Sequence, residues 1–262
     1  AARALAAIGL KGLVGLELFG LDEEKAAGNF ESWLKRFTAL EADPVIVKAN
    51  QENRRITLTV APHAPYTVAP ALWQLARDFA QSRNLTVLAH LAESRQECAW
   101  LKVSPGLEAG ADAETLSLAG ELDAYLEWIA PPGTRPDLLK SLPFKEGGRS
   151  PTAHLAAHGL LDENLLAAHL VELSPEDIGQ FATLGARAAL CLRSNLTLGN
   201  NAAPAEALER AAIPYSLGTD SRASSPDLCP RAEAAFFNQK RQAPLTAAAL
   251  HRLITLEAAR VL

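Results

Sequence analysis

The chain has 262 residues, 48% hydrophobic and 21% charged, which suits one large α/β barrel or two small domains with a sizeable buried core. A formal net charge of -5, without any Lys/Arg run interleaved with aromatics, excludes the basic footprint of a nucleic-acid binder. Cys98, Cys191 and Cys229 are few and far apart, the usage of reduced thiols in a cytoplasmic protein rather than of a disulfide framework. Residues 1–20 are apolar but interrupted by Arg3, Lys11 and Glu17, so they read as neither a signal peptide nor a membrane span. Methionine is absent even at position 1, so Ala1 is not expected to be the true start.

Short β-rich runs alternate with longer helical patterns, which predicts βα units and a parallel sheet. Residues 1–10 are expected to be helical, stopped by Gly9, and 12–18 (GLVGLEL) to form a buried strand. Residues 23–40 carry Phe30, Trp33, Leu34 and Phe37 at helical spacing, a core stripe rather than a ligand platform. The β-branched run 56–61 (ITLTVA) ends in Pro62, His63, Ala64, Pro65 and Tyr66, and a helix opened by proline follows at 70–83. Strand 86–90 (TVLAH) runs into Leu91, Ala92 and Glu93, with a helix from about Arg95. Residues 103–150, rich in Gly and Pro and with a helical piece near 122–128, exceed an ordinary βα connection. They are expected to be an insertion that borders the pocket.

Helix 151–158, capped by Gly159, precedes strand 165–170 (LLAAHL). Ser174, Pro175, Glu176 and Asp177 then open a helix with an N-cap serine, an N1 proline and early acids. Strand 188–192, a turn at Gly199, Asn200 and Asn201, helix 206–212 and strand 215–218, ending in Thr219 and Asp220, come next. Two C-terminal helices complete the chain. The six strands are two short of a (β/α)8 barrel.

Four of those strands end in residues able to bind or react: His63, His90 with Glu93, His169, and Asp220. In parallel α/β folds the C-terminal strand ends converge on one rim, where catalytic groups collect. Imidazoles with a carboxylate suit zinc or iron and leave a position for water. Each residue also has a plainer reading. A lone strand-end histidine is more often a satisfied rim residue, Asp220 before Ser221 would equally cap a helix, and Glu93 would serve as an acid at a helix start. Their coincidence at strand ends is what favours a joint site. His154 and His158 have the spacing of a helical metal pair, yet no Glu follows His154, and His158 at a helix C-terminus suits the dipole. The structural reading is preferred for both, and His251 is read as surface. Ser94, Ser194 and Ser221 lie in no G-x-S-x-G elbow, and nucleotide-cradling glycine motifs are absent.

Five motifs occur in order: APHAPYTV (61–68), HLAES (90–94), LLAAHLVELSPED (165–177), RSNLTLGNNAAP (193–204) and GTDSRASSPDL (218–228). Together they resemble the amidohydrolase-superfamily branch of chlorohydrolases, adenosylhomocysteine-type deaminases and aminofutalosine deaminases. The resemblance covers almost the whole chain and is specific for the superfamily, not for a substrate. It implies an α/β fold, a (β/α)8 TIM-type metal-dependent hydrolase barrel over 1–262, lacking its first strands and with an insertion at about 103–150. It further implies one divalent metal, zinc before iron, held by His90, His169 and Asp220.

By the same resemblance Glu93, His169 and Asp220 are catalytic, and His63, Ser194 and Asn195 lie against the substrate. The implied reaction is hydrolytic, with Asp220 taking a proton from water, Glu93 protonating the substrate's ring nitrogen, and His169 stabilising the tetrahedral centre. The family's first-strand H-x-H pair and amino-terminal β-sandwich are missing, and Glu172 stands where many members carry a second histidine. The expected function is a deaminase of a purine-like or other aminated heterocycle. A chlorohydrolase or amide hydrolase with the same metal, or a non-catalytic binding version of the barrel, is the alternative. The expected partner is a small molecule, without nucleic acid or membrane, with homo-oligomerisation left open.

Overall fold

A computed structural model describes residues 1–53, 56–103, 110–129 and 148–262, and divides the chain into a first unit, 1–89, and a second, 90–262. In the first unit α1 (Ala2–Ile8) stops at Gly9, whose φ of 75° is the left-handed cap that a residue without Cβ adopts readily. Strand β1 (Gly12–Leu18) pairs in parallel with β2 (Ile56–Pro62), Gly12 opposite Ile56 through to Leu18 opposite Pro62. Helix α2 (Ala26–Glu41) follows a 3₁₀ turn at Glu23–Lys25 and buries Trp33 and Phe37, as the helical stripe requires. Phe79 of α4 (Pro70–Ser82) stands edge-on to Trp33 and Phe37, each at 5.1 Å, an arrangement favoured by the ring quadrupoles.

Helix α3 (Pro44–Asn53) was not legible in the hydrophobic pattern. Val45, Ile46 and Val47 are β-branched and poor helix formers, which hid it. Its start signal was nonetheless present: Asp43 accepts a hydrogen bond from the Val45 N–H at 2.9 Å, and Pro44 takes the first helical position.

Strand β3 (Val87–Leu91) ends inside the second unit and is first in a four-stranded sheet of order β3-β4-β5-β6. Its neighbours are β4 (Leu165–His169), β5 (Arg187–Leu190) and β6 (Tyr215–Leu217), with β4–β5 and β5–β6 parallel. All six strands therefore fall where the sequence placed them. Helices α5 (Arg95–Lys102), α7 (Pro151–Ala157) and α8 (Pro175–Leu184) bury Trp100, Leu155 and Phe181. The start of α8 is a full capping box between Ser174 and Asp177.

Of the expected insertion, α6 (Ala113–Ile129) is longer than the helical piece anticipated. It packs on α5 through Trp100 Nε1 donating to Asp123 at 2.6 Å and Gln96 donating to Glu121 at 3.0 Å. Its other parts, 104–109 and 130–147, lie outside the described residues. The differences from the sequence reading that matter most lie after β5 and at the C-terminus. Strand β5 stops at Leu190, and Leu192 already opens a short helix, α9 (Leu192–Thr197), so Ser194 and Asn195 sit on a helix rather than a loop. After α10 (Ala205–Arg210) the C-terminus holds three helices rather than two, α11 (Pro230–Lys240), α12 (Ala247–Leu253) and α13 (Leu256–Val261). Thr255, at φ -134° and ψ -84°, separates α12 from α13.

Candidate active site

The parallel pairing of β4, β5 and β6 gathers the polar strand ends of the second unit on one edge. His90 in β3 and His169 at the end of β4 lie with their rings nearly parallel, 5.4 Å apart between centroids and 24° between planes. Glu93 follows β3, and its Oε2 is 3.7 Å from His169 Nε2. That is too long for a hydrogen bond, and it is an ion pair only when the imidazole is protonated. His169 Nδ1 lies 2.8 Å from the side-chain oxygen of Asn195, and Ser194 Oγ donates a short hydrogen bond to Asp220 Oδ2. Five of the residues expected at the site thus join in direct pairs, and His90 is stacked against one of them.

Burial differs among them. His169, Ser194 and Asn195 are buried, His90 and Glu93 half-buried, and Asp220 exposed. His63 belongs to the first unit. Its ring is 4.7 Å from Phe19 and 5.9 Å from Tyr66, and its Nδ1 is 2.9 Å from Thr67 Oγ1. Thr67 Oγ1 already donates to the Ala64 carbonyl at 3.1 Å, which makes His63 Nδ1 the donor in that pair.

The backbone beneath the second unit's rim is unusual. Ala92 (φ 51°), His169 (φ 76°), Leu170 (φ 53°) and Asp220 (φ 56°) all occupy the left-handed region without being glycine. Each costs conformational energy, of order 1–3 kcal/mol, and such positions cluster at functional sites because surrounding bonds hold them there. Here those bonds are visible. The Ala92 carbonyl accepts from both the Val171 and Glu172 N–H groups at 2.9 Å, and Leu170 N–H donates to Leu91 at 3.0 Å.

Glu97 supplies the rest of that support, and it was missed in the sequence. It is fully buried, and its two carboxylate oxygens accept from the backbone N–H of Ala92 at 3.1 Å and of Glu93 at 2.8 Å. Burial pushes its carboxyl up to about 8, against the lowering effect of those two bonds. The available signal was Ser94-x-x-Glu97, the spacing of a capping box. Ser94 does cap α5 through the Glu97 N–H, while the Glu97 side chain reaches one turn further back, to the residues that carry Glu93. Ser224 was also missed, with its Oγ 2.7 Å from Ser194 Oγ. Glu172 accepts a hydrogen bond from the Asn201 side-chain nitrogen at 2.8 Å.

Imidazole and carboxylate donors suit a borderline divalent ion. Among the described residues, however, no three His, Cys, Asp or Glu side chains converge closely enough to hold one. His154 and His158 lie apart from these pairs, with ring centroids 4.8 Å from each other on α7, and burial lowers the His154 imidazole to about 3. All three cysteines are free thiols, and burial raises the thiols of Cys98 and Cys191 well above the usual range. Among the described residues no helix is long and apolar enough to cross a membrane.

Residues 6–262 match the model of the amidohydrolase family. A 5-methylthioadenosine/S-adenosylhomocysteine deaminase of Aquifex aeolicus is 26% identical over 178 residues, 68% of this chain and 32% of the relative. A zinc-bound adenosine deaminase structure from Xanthomonas campestris superposes with a TM-score of 0.65 at 25% identity, covering 100% of this chain and 50% of that one. The aminofutalosine deaminase of Helicobacter pylori gives a TM-score of 0.70 at 19% identity, covering 95% and 55%, and shares the fold. The chain therefore spans about a third to a half of the length of these proteins.

Proposed function

We propose that this chain, which belongs to the amidohydrolase family and has its (β/α)8-type fold, carries the catalytic rim of a metal-dependent aminohydrolase. The observation that carries this reading is the pairing of Glu93 with His169 at adjacent strand ends, 3.7 Å apart, beside the His90 ring. The deaminase names of the relatives support an aminated heterocycle of the purine class as substrate. His90, His169 and Asp220 would contribute ligands to a divalent metal, zinc before iron, and further donors beyond these residues would be needed for tight binding. When bound, such an ion lowers the pKa of a water molecule toward neutrality.

The chain's own residues divide the remaining work. Asp220 takes a proton from the attacking water at its carboxylate. Glu93 delivers a proton to the ring nitrogen next to the reacting carbon, regains one from the added hydroxyl and passes it to the departing amine, while the proton held by Asp220 restores Glu93, so that water and the amine give a carbonyl and ammonia. His169, held by Asn195, stabilises negative charge as it develops on the attacking oxygen. His63 would contact the substrate. The buried, unlinked thiols support a cytoplasmic setting.

Ammonia is a poor leaving group until its nitrogen is protonated, so a positioned acid is required as well as activated water. Glu93→Gln in the full-length protein should keep the metal content near that of the unaltered protein. Activity on aminated purines should fall by about 10²–10⁴-fold, the usual contribution of general acid–base assistance. Asp220→Asn should lower both metal content and rate. Full ammonia release by the Glu93→Gln variant would refute the assignment, and release of chloride or cleavage of amides without ammonia would favour the chlorohydrolase or amide-hydrolase alternative.

A further inference from the structure

Ser194 and Asn195 are consecutive residues on α9, both without exposure, and their side chains engage different strand ends. The Asn195 oxygen facing His169 Nδ1 can only accept, so the nitrogen it meets must carry the proton. That places the neutral imidazole in one tautomer, with hydrogen on Nδ1 and the lone pair on Nε2. The other side of the ring agrees with this. If Nε2 carried the proton, it would meet the Glu93 carboxylate as a charge-assisted hydrogen bond at about 2.7–2.9 Å, whereas Oε2 stands at 3.7 Å.

Ser194 has a single hydroxyl proton and two oxygen neighbours, Asp220 Oδ2 and Ser224 Oγ. An ionised carboxylate can only accept, so that proton goes to Asp220 and the Ser224 hydroxyl must donate to Ser194. Ser221 Oγ, 3.3 Å from Ser224, extends the series. Such a chain is polarised toward its charged end, and it occupies one oxygen of Asp220 while leaving Oδ1 for chemistry.

We infer that Ser194 and Asn195 are positioning residues rather than substrate contacts: Asn195 fixes the His169 tautomer with its proton on Nδ1, and Ser194 orients the Asp220 carboxylate. This rests on the reading of His169 and Asp220 as reacting groups, but its decisive tests need no turnover. One short helix then sets two strand ends at once, since a shift of α9 moves both hydrogen bonds together. Neither side chain has surface to offer a substrate.

The first test is ¹⁵N NMR of the full-length protein labelled at histidine, with the His169 signal assigned by its loss in His169→Gln. The Nδ1-protonated pattern is expected in the unaltered protein, and an Nε2-protonated His169 would overturn the inference without any variant. Asn195→Leu should move His169 away from that form, while an unchanged tautomer there would assign its control to another group. The second test is the crystal structure of Ser194→Ala, where the Asp220 carboxylate should leave its present orientation and Ser194→Thr should restore it. An unmoved carboxylate in Ser194→Ala sinks the role of the hydroxyl.

With aminated purines as substrate, Ser194→Ala should lose kcat by about 10–100-fold with KM within twofold, the range found for supporting groups behind ligands. A raised KM at unchanged kcat would instead make Ser194 a substrate contact. If no aminated purine is turned over at all, the proposed function fails, while the NMR and crystallographic results still decide the positioning roles.

Discussion

The aromatic core of the first unit and the strand-end rim of the second are built on opposite terms. In the core, Trp33, Phe37 and Phe79 have ring centroids 5.0–5.1 Å apart, with Phe79 edge-on to the other two, and Arg83 lies 4.7 Å over the Phe79 ring. Trp33 places its one polar atom, Nε1, on the Leu16 carbonyl at 2.9 Å. The gain there comes from apolar area removed from water. The rim instead buries His169, Ser194, Asn195 and Glu97, and holds Ala92, His169 and Asp220 in left-handed backbone. Every one of those choices is unfavourable taken alone. They persist because the Asn195 oxygen, the Ser194 hydroxyl and both Glu97 carboxylate oxygens each meet a specific partner, while the buried Asn195 amide nitrogen meets none, the pattern expected where a fold gives up stability for chemistry.

Substitutions can break this contrast in order of size. Phe37→Ala removes a fully buried ring from the core and should lower the unfolding free energy by about 3–5 kcal/mol, read from urea denaturation. A loss below about 1 kcal/mol would mean that the aromatic cluster is not a core in the packing sense.

On the rim, Glu97→Ala should cost about 1–3 kcal/mol for each of the two backbone N–H groups left without an acceptor, those of Ala92 and Glu93. Unlike the core substitution, it should also disturb Glu93. Hydrogen exchange should quicken at the amides of Ala92 and Glu93 ahead of the rest of α5, and protection equal to that of the unaltered protein would remove Glu97 from its supporting role.

The dependence of stability on pH sharpens the difference further. Glu97 has its carboxyl raised from 4.5 to about 8, so the folded state keeps a proton that the unfolded chain has lost. Its contribution is full below about pH 4.5 and disappears as the pH rises through about 8. His154 has the opposite sign. Its imidazole is lowered from 6.5 to about 3, so its contribution is present above pH 6.5 and is lost as the pH falls through about 3. The two slopes oppose each other between about pH 4.5 and 6.5. Above pH 6.5 the opposing His154 slope is gone and the Glu97 slope, roughly 1 kcal/mol per pH unit, remains. Glu97→Gln should flatten that alkaline limb in urea titrations at pH 6.5 and 8, and an equally steep limb in the variant would locate its origin elsewhere. At the bottom of the scale, Glu31→Gln breaks an exposed pair with Lys35 on α2 and should leave the denaturation midpoint unchanged.

The strands and most helices could be read from the chain because their signals are local. Buried and β-rich runs marked β1 to β6, and proline with a capping serine marked α8. The candidate residues His90, Glu93, His169 and Asp220 were legible because parallel topology puts strand ends on one edge, so position in the chain carried information about position in space. Where local preference and outcome disagreed, the reading failed. Val45, Ile46 and Val47 hid α3, and the third C-terminal helix went unread.

By itself, then, the sequence determined the order of βα units, the apolar stripe of α2 and the polar residues at the strand ends. Only the tertiary structure decided what those residues do to one another. The pairings of Asn195 with His169 and of Ser194 with Asp220 each bridge 26 positions. Glu97 is four residues from Glu93, yet it acts through a backbone turn whose left-handed Ala92 no propensity would suggest. Side-chain type and spacing specify which groups can donate or accept. Which donor meets which acceptor is settled by where α9 and α5 are held in the fold, because a hydrogen bond requires a direction and a distance that no linear spacing contains.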